Sequence, residues 1–253
     1  MWQFIKQAYA DSARIIIALP WLFALPTVAE LIQHVIEYRS GMYDSVAAMQ
    51  AAGDDPARMG FGQVKILTLI LLLYWVSRWQ AFRGSKEGSV LGDRRSALLF
   101  LGVVLFATAI GLVQQFGGTF LSPILGNDNL LLTIGFAFFL LSLALDIYLS
   151  AWKVGSALGN PRLTIPASFR IVQGSFWWSL AFYVLMIVPL MVVHYALAVV
   201  ALGRPDPVLW AVLTLDAFIV GYLGLVLSTA TYLVAQRAAT RAGVPLSGAP
   251  KPA

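Results

Sequence analysis

The chain contains no cysteine and few charged residues. Without cysteine, disulfides, thiolate metal sites and cysteine nucleophiles are excluded. Charged residues make up 11% of the 253 residues, whereas a soluble domain carries roughly 25%. Hydrophobic residues account for 59% of the chain. Most of the protein surface is therefore expected to face something other than water.

Recognisable catalytic motifs are also missing from the sequence. There is no glycine-rich phosphate loop, no His-Glu-x-x-His zinc motif and no Gly-x-Ser-x-Gly nucleophile motif. Because only two histidines are present, we expect no metal centre and no cofactor. The short basic connections offer no stacking platform for bases, which argues against nucleic-acid binding. No residue is assigned a catalytic role.

Six apolar stretches are long enough to cross the hydrocarbon layer, which takes about 20 helical residues. These predicted spans are Pro20–Tyr38, Phe61–Trp79, Ser96–Phe116, Leu130–Trp152, Phe176–Leu202 and Val208–Tyr232. The sequence therefore predicts an all-α integral membrane protein, with a six-helix transmembrane bundle over residues 20–238. Residues 239–253 are predicted to form a flexible cytoplasmic tail.

Lysine and arginine are concentrated in alternate connections. Of the 17 basic residues, all but four lie at the N-terminus, in the second and fourth connections or in the tail. The four on the opposite side are Arg39, Arg58, Lys65 and Arg204. Because basic residues stay on the cytoplasmic side, both termini are predicted to lie in the cytoplasm.

Residues 1–19 have the pattern of an amphipathic helix that lies at the membrane interface. Apolar and small residues recur at helical spacing, at Trp2, Ile5, Tyr9, Ser12, Ile16 and Leu19. The polar residues Lys6, Gln7, Asp11 and Arg14 lie elsewhere around the predicted helix. The same segment also resembles a secretory signal, with a cleavage site near Ala29. Apolar residues continue beyond that point, which favours a retained span.

Three cytoplasmic helix ends share a weak pattern, in which a tyrosine precedes a cation by four or five residues. The tyrosines are Tyr74, Tyr148 and Tyr232. One interpretation is three helical hairpins descended from one unit. The alternative is that each end carries an ordinary aromatic anchor and a snorkelling cation. In the last span, Gly221 and Gly224 are expected to let a neighbouring helix approach closely.

Ionisable residues within the predicted spans form a candidate site. Glu30, His194 and Asp216 each lie eight residues from the outer end of a span, about 12 Å deep. His34 shares the helix face of Glu30. Such a cluster suits proton exchange or cation binding, because a charge in hydrocarbon needs a partner. The alternative is a hydrogen-bonded network that fixes helix packing.

Asp146 forms a second candidate site near the cytoplasmic end of the fourth span. We expect it to pair with a nearby cation such as Arg78, Arg94 or Arg170. The simpler interpretation is a structural ion pair. The more specific interpretation is a polar pocket that binds a lipid headgroup beside the basic interface.

The segment from Ser168 to Trp177 and the closing stretch Leu225–Arg237 resemble a bacterial family. This family is the multi-pass membrane domain of some glycerophosphoryl diester phosphodiesterases, which also occurs as stand-alone inner-membrane proteins. The resemblance covers about the last 90 residues. It implies a bacterial inner-membrane protein of helical hairpins that handles or senses lipid. No catalytic residue is carried over, because the family's hydrolytic activity belongs to a separate soluble domain.

Three hypotheses for function follow. The first is a non-enzymatic inner-membrane protein that associates with membrane lipids or serves as an accessory subunit among other membrane-protein subunits. The second is a small solute or proton-coupled transporter that uses Glu30, His194 and Asp216. The third is a lipid-modifying membrane enzyme with Asp146 near headgroup depth, although one aspartate without a base or metal makes a poor active site.

Overall fold

The computed structural model describes residues 1–82 and 91–248, and these are helical almost throughout. Ten α-helices lie within the described ranges: α1 Trp2–Ala18, α2 Pro20–Arg39, α3 Val46–Ala51, α4 Pro56–Phe82, α5 Arg94–Leu125, α6 Asp128–Tyr148, α7 Ser150–Ala157, α8 Ile165–Val172, α9 Phe176–Ala201 and α10 Asp206–Ala242. Short 3-10 turns occur at Ala52–Asp54 and Gln173–Ser175. No strand is found in the described part of the chain, so the all-α prediction is confirmed.

Five stretches of the described chain are long and apolar enough to cross a membrane by themselves. They are Pro56–Phe82, Arg94–Leu125, Asn129–Tyr148, Ile165–Ala201 and Asp206–Ala242. The sixth predicted span passes the same test only as the bent pair Trp2–Ala18 and Pro20–Arg39. The chain is a multi-pass membrane protein, and its described residues contain five candidate spans, or six if the bent pair counts as one.

The bend between α1 and α2 amounts to 96°. It falls at Leu19, just before Pro20, whose missing N–H and fixed φ are well suited to the first helical position. On α1, Asp11 is fully buried, whereas the sequence placed it on the polar face. The buried carboxylate accepts from Arg14 Nη1 at 3.0 Å, so its charge is compensated by a neighbour on the same helix. The interfacial position of residues 1–19 stays a prediction.

The predicted span Leu130–Trp152 is interrupted, because α6 ends at Tyr148 and α7 begins at Ser150. Ser168 occupies the break. Its hydroxyl donates to the Tyr148 carbonyl at 2.6 Å and accepts from the Trp152 amide at 3.0 Å. A side chain that satisfies backbone groups in this way lets a helix change direction without losing hydrogen bonds.

The described residues form two compact units. Unit 1 comprises Met1–Leu72 and Phe182–Ala230, and its core includes Leu22, Phe182 and Leu213. Gly224 confirms the expected close approach of helices, because a Cβ there would lie 2.9 Å from Leu69 Cδ2 and 3.0 Å from Leu72 Cδ2. A Cβ on Gly221 would collide with Thr27 and Phe23.

Unit 2 comprises Leu73–Ala181 and the described part of Thr231–Ala253. Within it, α5 begins with a capping box, in which the Asp93 carboxylate accepts from the Ser96 amide at 2.7 Å. Helix α10 continues to Ala242, so residues 239–242 of the predicted tail are helical. The Asn160 amide donates to the Pro245 carbonyl at 3.0 Å. Residues 249–253 of the predicted tail, and the basic loop residues Arg83 and Lys86, lie outside the described residues.

Candidate functional site

A set of nine polar side chains in unit 1, here called the polar cluster, contains the first candidate site. Its members come from α2, the connection after α2, α4, α9 and α10, and they are Glu30, Gln33, His34, Glu37, Tyr43, Arg58, Lys65, His194 and Asp216. Four of them lie on α2, where Gln33 and His34 are each three or four residues from both Glu30 and Glu37, so the four share one face of that helix.

Asp216 on α10 lies between the two histidines of the chain. Its Oδ2 is 3.1 Å from His34 Nε2, and its Oδ1 is 2.8 Å from His194 Nδ1. Asp216 is 1% exposed and His34 is 3% exposed, so neither reaches bulk water. The structure thus brings together α2, α9 and α10 at the carboxylate that sequence reasoning singled out.

A tight turn after α2 brings Tyr43 back into contact with the polar cluster. Gly41 has φ of 73°, a left-handed conformation that glycine adopts without steric cost. The Met42 amide then donates to the Glu37 carbonyl and the Gly41 amide to the Tyr38 carbonyl, both at 3.1 Å. This is the hydrogen-bond pattern of a Schellman motif, and it ends α2 with the chain folded back on itself.

Glu37 accepts from three side chains in addition to its contact with His34, whose Nδ1 lies 3.2 Å from Oε2. The Tyr43 hydroxyl donates to Oε2 at 2.6 Å, while Gln33 Nε2 and Arg58 Nε donate to Oε1 at 2.9 and 3.0 Å. Burial, followed by the charge of Glu37, raises the pKa of the Tyr43 phenol. Tyr43 therefore keeps its proton and remains a donor to Glu37.

Glu30 is the least hydrogen-bonded acid of the cluster. Lys65 Nζ on α4 lies 2.7 Å from Glu30 Oε2, and His34 Nε2 lies 3.8 Å from Oε1. The Lys65 contact is an ion pair that lacks hydrogen-bond geometry, so Oε2 is a buried acceptor without a hydrogen bond among the described residues. Glu30 is 2% exposed. Its carboxylate is held in place mainly by charge.

The hydrogen bonds around His34 require an exchangeable proton. Tyr43 uses its own proton on Glu37, so the His34 Nδ1 that lies 2.8 Å from Tyr43 Oη must be a donor. On the opposite edge of the ring, Nε2 faces the Asp216 carboxylate, which when ionised can accept a hydrogen bond but cannot donate one. Both ring nitrogens donate if the acids are ionised, and otherwise one of the acids carries the proton.

The charge balance of the cluster also requires an additional proton or another positive charge. Three carboxylates, on Glu30, Glu37 and Asp216, face two basic side chains, Arg58 and Lys65. With neutral imidazoles one negative charge remains, and an uncompensated buried charge costs several kcal/mol. A proton on an imidazole or a bound cation supplies the missing positive charge.

Three members of the cluster have the geometry to hold a metal ion. Glu30, His194 and Asp216 each offer one ligand atom, and these atoms lie within 4.8 Å of one another. A nitrogen and two carboxylate oxygens form a donor set that suits several divalent metals.

The second candidate site, around Asp146, has a different ion-pair partner from those predicted. Asp146 pairs with Lys153, a cation that the sequence analysis did not name as its partner. Arg78 is buried and donates to the Ala157 carbonyl at 3.0 Å. Arg94 and Arg170 are exposed. The predicted pairing of Asp146 is thus corrected to Lys153, which is seven residues away and reaches back across the break after Tyr148. A headgroup site here stays a prediction.

Sequence reasoning missed five members of the polar cluster: Gln33, Glu37, Tyr43, Arg58 and Lys65. For two of them a signal was available. Gln33 and Glu37 lie three and seven residues after Glu30, which is the spacing of one helix face. Arg58 and Lys65 were counted only as basic residues of the outer side, and nothing in their local sequence indicates the contacts with α2.

The chain matches no protein-family model, no curated protein and no solved structure. The resemblance to the phosphodiesterase membrane domain accordingly stays a prediction.

Proposed function

We propose that this membrane protein binds a cation at the polar cluster and carries it across the bilayer. The supporting observation is the position of Asp216, a buried carboxylate in contact with both His34 and His194. Its two imidazole partners can lose positive charge, unlike an arginine. A network built for packing alone would be served as well by apolar side chains, which often stabilise a core more than a buried ion pair does.

The composition of the cluster favours exchange over fixed pairing. Lys65 and Arg58 have side chains that are 21% and 30% exposed, whereas the acids that they contact are nearly fully buried. The cluster therefore has partly exposed cations at one side and a buried acid–histidine chain behind them. Ionisable residues in this setting are characteristic of ion and proton pathways.

Transport is tested with purified protein in liposomes, under an imposed gradient of protons or of Zn²⁺. A trapped pH dye reports the first ion and a trapped zinc dye the second. We expect Asp216→Asn to abolish the flux of whichever ion the wild type carries. Asp146→Asn is the matched control, because it neutralises an acid of unit 2 that pairs with Lys153, and it should transport normally. Equal flux in the two variants, or no flux of either ion in the wild type, contradicts the proposal.

We also propose that the membrane is a bacterial inner membrane and that both termini face the cytoplasm. The uneven distribution of basic residues supports this orientation. Because the chain has no cysteine, a single introduced cysteine is a unique label. In right-side-out spheroplasts, an impermeant maleimide should label Ala47→Cys and spare Thr240→Cys, both of which are exposed positions. The reverse pattern contradicts the orientation.

A second candidate, association with membrane lipid, has its own observation. Helix α1 exposes Ile17 by 85% and Trp2 by 65%, and Lys6 Nζ lies 5.2 Å from the Trp2 ring. Large exposed apolar residues beside a cation are typical of a helix lying in the headgroup region. A spin label at Ile17→Cys should collide with oxygen dissolved in lipid, and one at Lys6→Cys with a water-soluble reagent. Equal exposure of both labels to water contradicts this candidate.

The accessory-subunit role and the lipid-modifying enzyme remain predictions, since no contact described above favours either.

A further inference from the structure

We infer that Glu30, His194 and Asp216 form a binding site for a divalent transition-metal ion of the Zn²⁺ class. This inference specifies which cation the proposed transporter carries. That the ion is transported rests on the proposed function, whereas binding of the ion to the site does not. The inference also differs from the prediction made from the sequence, that no metal is bound because only two histidines are present. That prediction considered histidines alone, whereas here two carboxylates supply the other ligands.

The ligand geometry carries the inference. The three donor atoms come from α2, α9 and α10 and lie within 4.8 Å of one another. Two ligands of one tetrahedral zinc ion lie roughly 3.4 Å apart when each bond is about 2.1 Å long. His194 Nδ1 and the Asp216 oxygens are hydrogen-bonded at 2.8 and 2.9 Å, so a bound ion would replace this contact and move the two side chains apart by roughly 0.5 Å.

Glu30 supplies an independent observation. Its Oε2 is buried and accepts no hydrogen bond among the described residues, although Lys65 Nζ is 2.7 Å away. The Lys65 ammonium is thus an ion-pair partner of Glu30 and not a hydrogen-bond donor to it by geometry. A metal ion bound at Glu30 would take the place of that ammonium.

The donor atoms indicate the class of ion. Ca²⁺ and Mg²⁺ prefer shells made of oxygen alone, whereas an imidazole nitrogen favours Zn²⁺ and the neighbouring divalent metals. Soft monovalent copper is disfavoured, because the chain has no cysteine and the site offers no sulfur. The mixed set of one nitrogen and two carboxylate oxygens therefore points to a borderline divalent ion.

Lys65 becomes the internal competitor of the metal ion. Its ammonium occupies the Glu30 carboxylate, and its side chain is 21% exposed, so it has room to withdraw. The two cations cannot share Glu30 without repulsion at short range. This competition gives a prediction that a purely structural ion pair does not make, because removal of Lys65 should improve metal binding.

The test uses the full-length protein in detergent micelles, without a polyhistidine tag, since such a tag would bind the probe. Titration calorimetry with Zn²⁺ and visible absorption with Co²⁺ report affinity and coordination. We expect one ion per chain. Glu30→Gln and His194→Gln should each weaken binding by at least about tenfold, as loss of metal-site groups commonly does. Lys65→Met should tighten it by a similar factor.

Asp146→Asn is the control and should bind like the wild type, because Asp146 pairs with Lys153 in unit 2. No saturable binding by the wild type overturns the inference, and so does binding that is unchanged by Glu30→Gln and Lys65→Met alike. If Glu30→Gln fails to fold, the increase expected for Lys65→Met still decides the question.

The outcomes also separate this inference from the proposed function. Zinc binding without flux in liposomes supports the site and contradicts transport. Proton flux that depends on Asp216, without zinc binding, supports transport and contradicts the metal site.

Discussion

Side chains of both signs meet in one buried network in unit 1, whereas in unit 2 a one-to-one ion pair occurs beside arginines that contact carbonyl oxygens and aromatic rings. In unit 2, Arg78 donates to the Ala157 carbonyl, and the Arg237 guanidinium lies 4.3 Å from the Trp178 ring centroid. Asp146 and Lys153 pair one to one, with the Asp146 side chain 43% exposed. In unit 1, Asp216 instead touches two histidines, and His34 touches two acids.

The difference indicates which region can exchange an ion. Among the described contacts of unit 2, Asp146 pairs with Lys153 and shares its carboxylate with no histidine. An acid that is shared by two imidazoles has alternative partners, and the network can pass a positive charge among them. Unit 2 is therefore expected to respond to mutation only through stability, and unit 1 through stability and ion binding together.

The largest effect is expected when the central acid of unit 1 is neutralised. Asp216→Asn removes the charge that faces His34 and His194, and breaking a buried pair costs about 3–5 kcal/mol. The free energy of unfolding in detergent measures this loss. Asp146→Asn, the matched change in unit 2, should cost less, because the Asp146 side chain is 43% exposed, although its partner Lys153 is buried. Similar losses for the two variants would remove the distinction between the units.

An intermediate effect is expected for Arg78 in unit 2. Its guanidinium carbon lies 5.7 Å from the Tyr74 ring and 5.2 Å from the Phe82 ring, in addition to the hydrogen bond to Ala157. Arg78→Met should lower the free energy of unfolding by about 1.5–3 kcal/mol, the value of a hydrogen bond to a charged group. Zinc affinity and ion flux per folded protein should stay unchanged. A loss of either one in the folded variant contradicts the assignment of Arg78 to structure alone.

Part of this contrast could be predicted from the sequence. The constant rise of a helix places Glu30, His194 and Asp216 at one depth, so their association followed from counting residues. Tyr43 could not be found in this way, because it reaches His34 only through the left-handed turn at Gly41. The ion pair of Lys65 could not be predicted either, since an ion pair between two helices depends on how those helices pack.

The helix boundaries show the same limit. The composition of each apolar stretch predicted its existence, but not the break after Tyr148, which Ser168 stabilises from a distant part of the chain. Asp11 was placed on a polar face by periodicity, and tertiary packing buried it instead. Local patterns identify elements, whereas contacts between elements decide their ends and their buried faces.

The smallest effect is expected at the start of α5 in unit 2. The Asp93 carboxylate accepts from the Ser96 amide, and this hydrogen bond lowers the pKa of Asp93. Asp93→Ala should cost about 0.5–2 kcal/mol, the usual value of a helix N-cap. Because the pKa of Asp93 is lower in the folded state, its contribution is present above the ordinary aspartate pKa and is lost as pH falls through the folded value. Unfolding curves of wild type and Asp93→Ala should therefore converge in acid, and a constant difference would contradict this.

The most direct test of the cation site is X-ray absorption at the zinc edge, recorded on the tag-free protein loaded with one equivalent of Zn²⁺. We expect a first shell of nitrogen and oxygen at about 2.0–2.2 Å, with the scattering of a single imidazole. Glu30→Gln or Asp216→Asn should abolish that signal, and Asp146→Asn should preserve it. A shell of water alone, or a spectrum that is identical in all three variants, would contradict the claim that the polar cluster is a cation site.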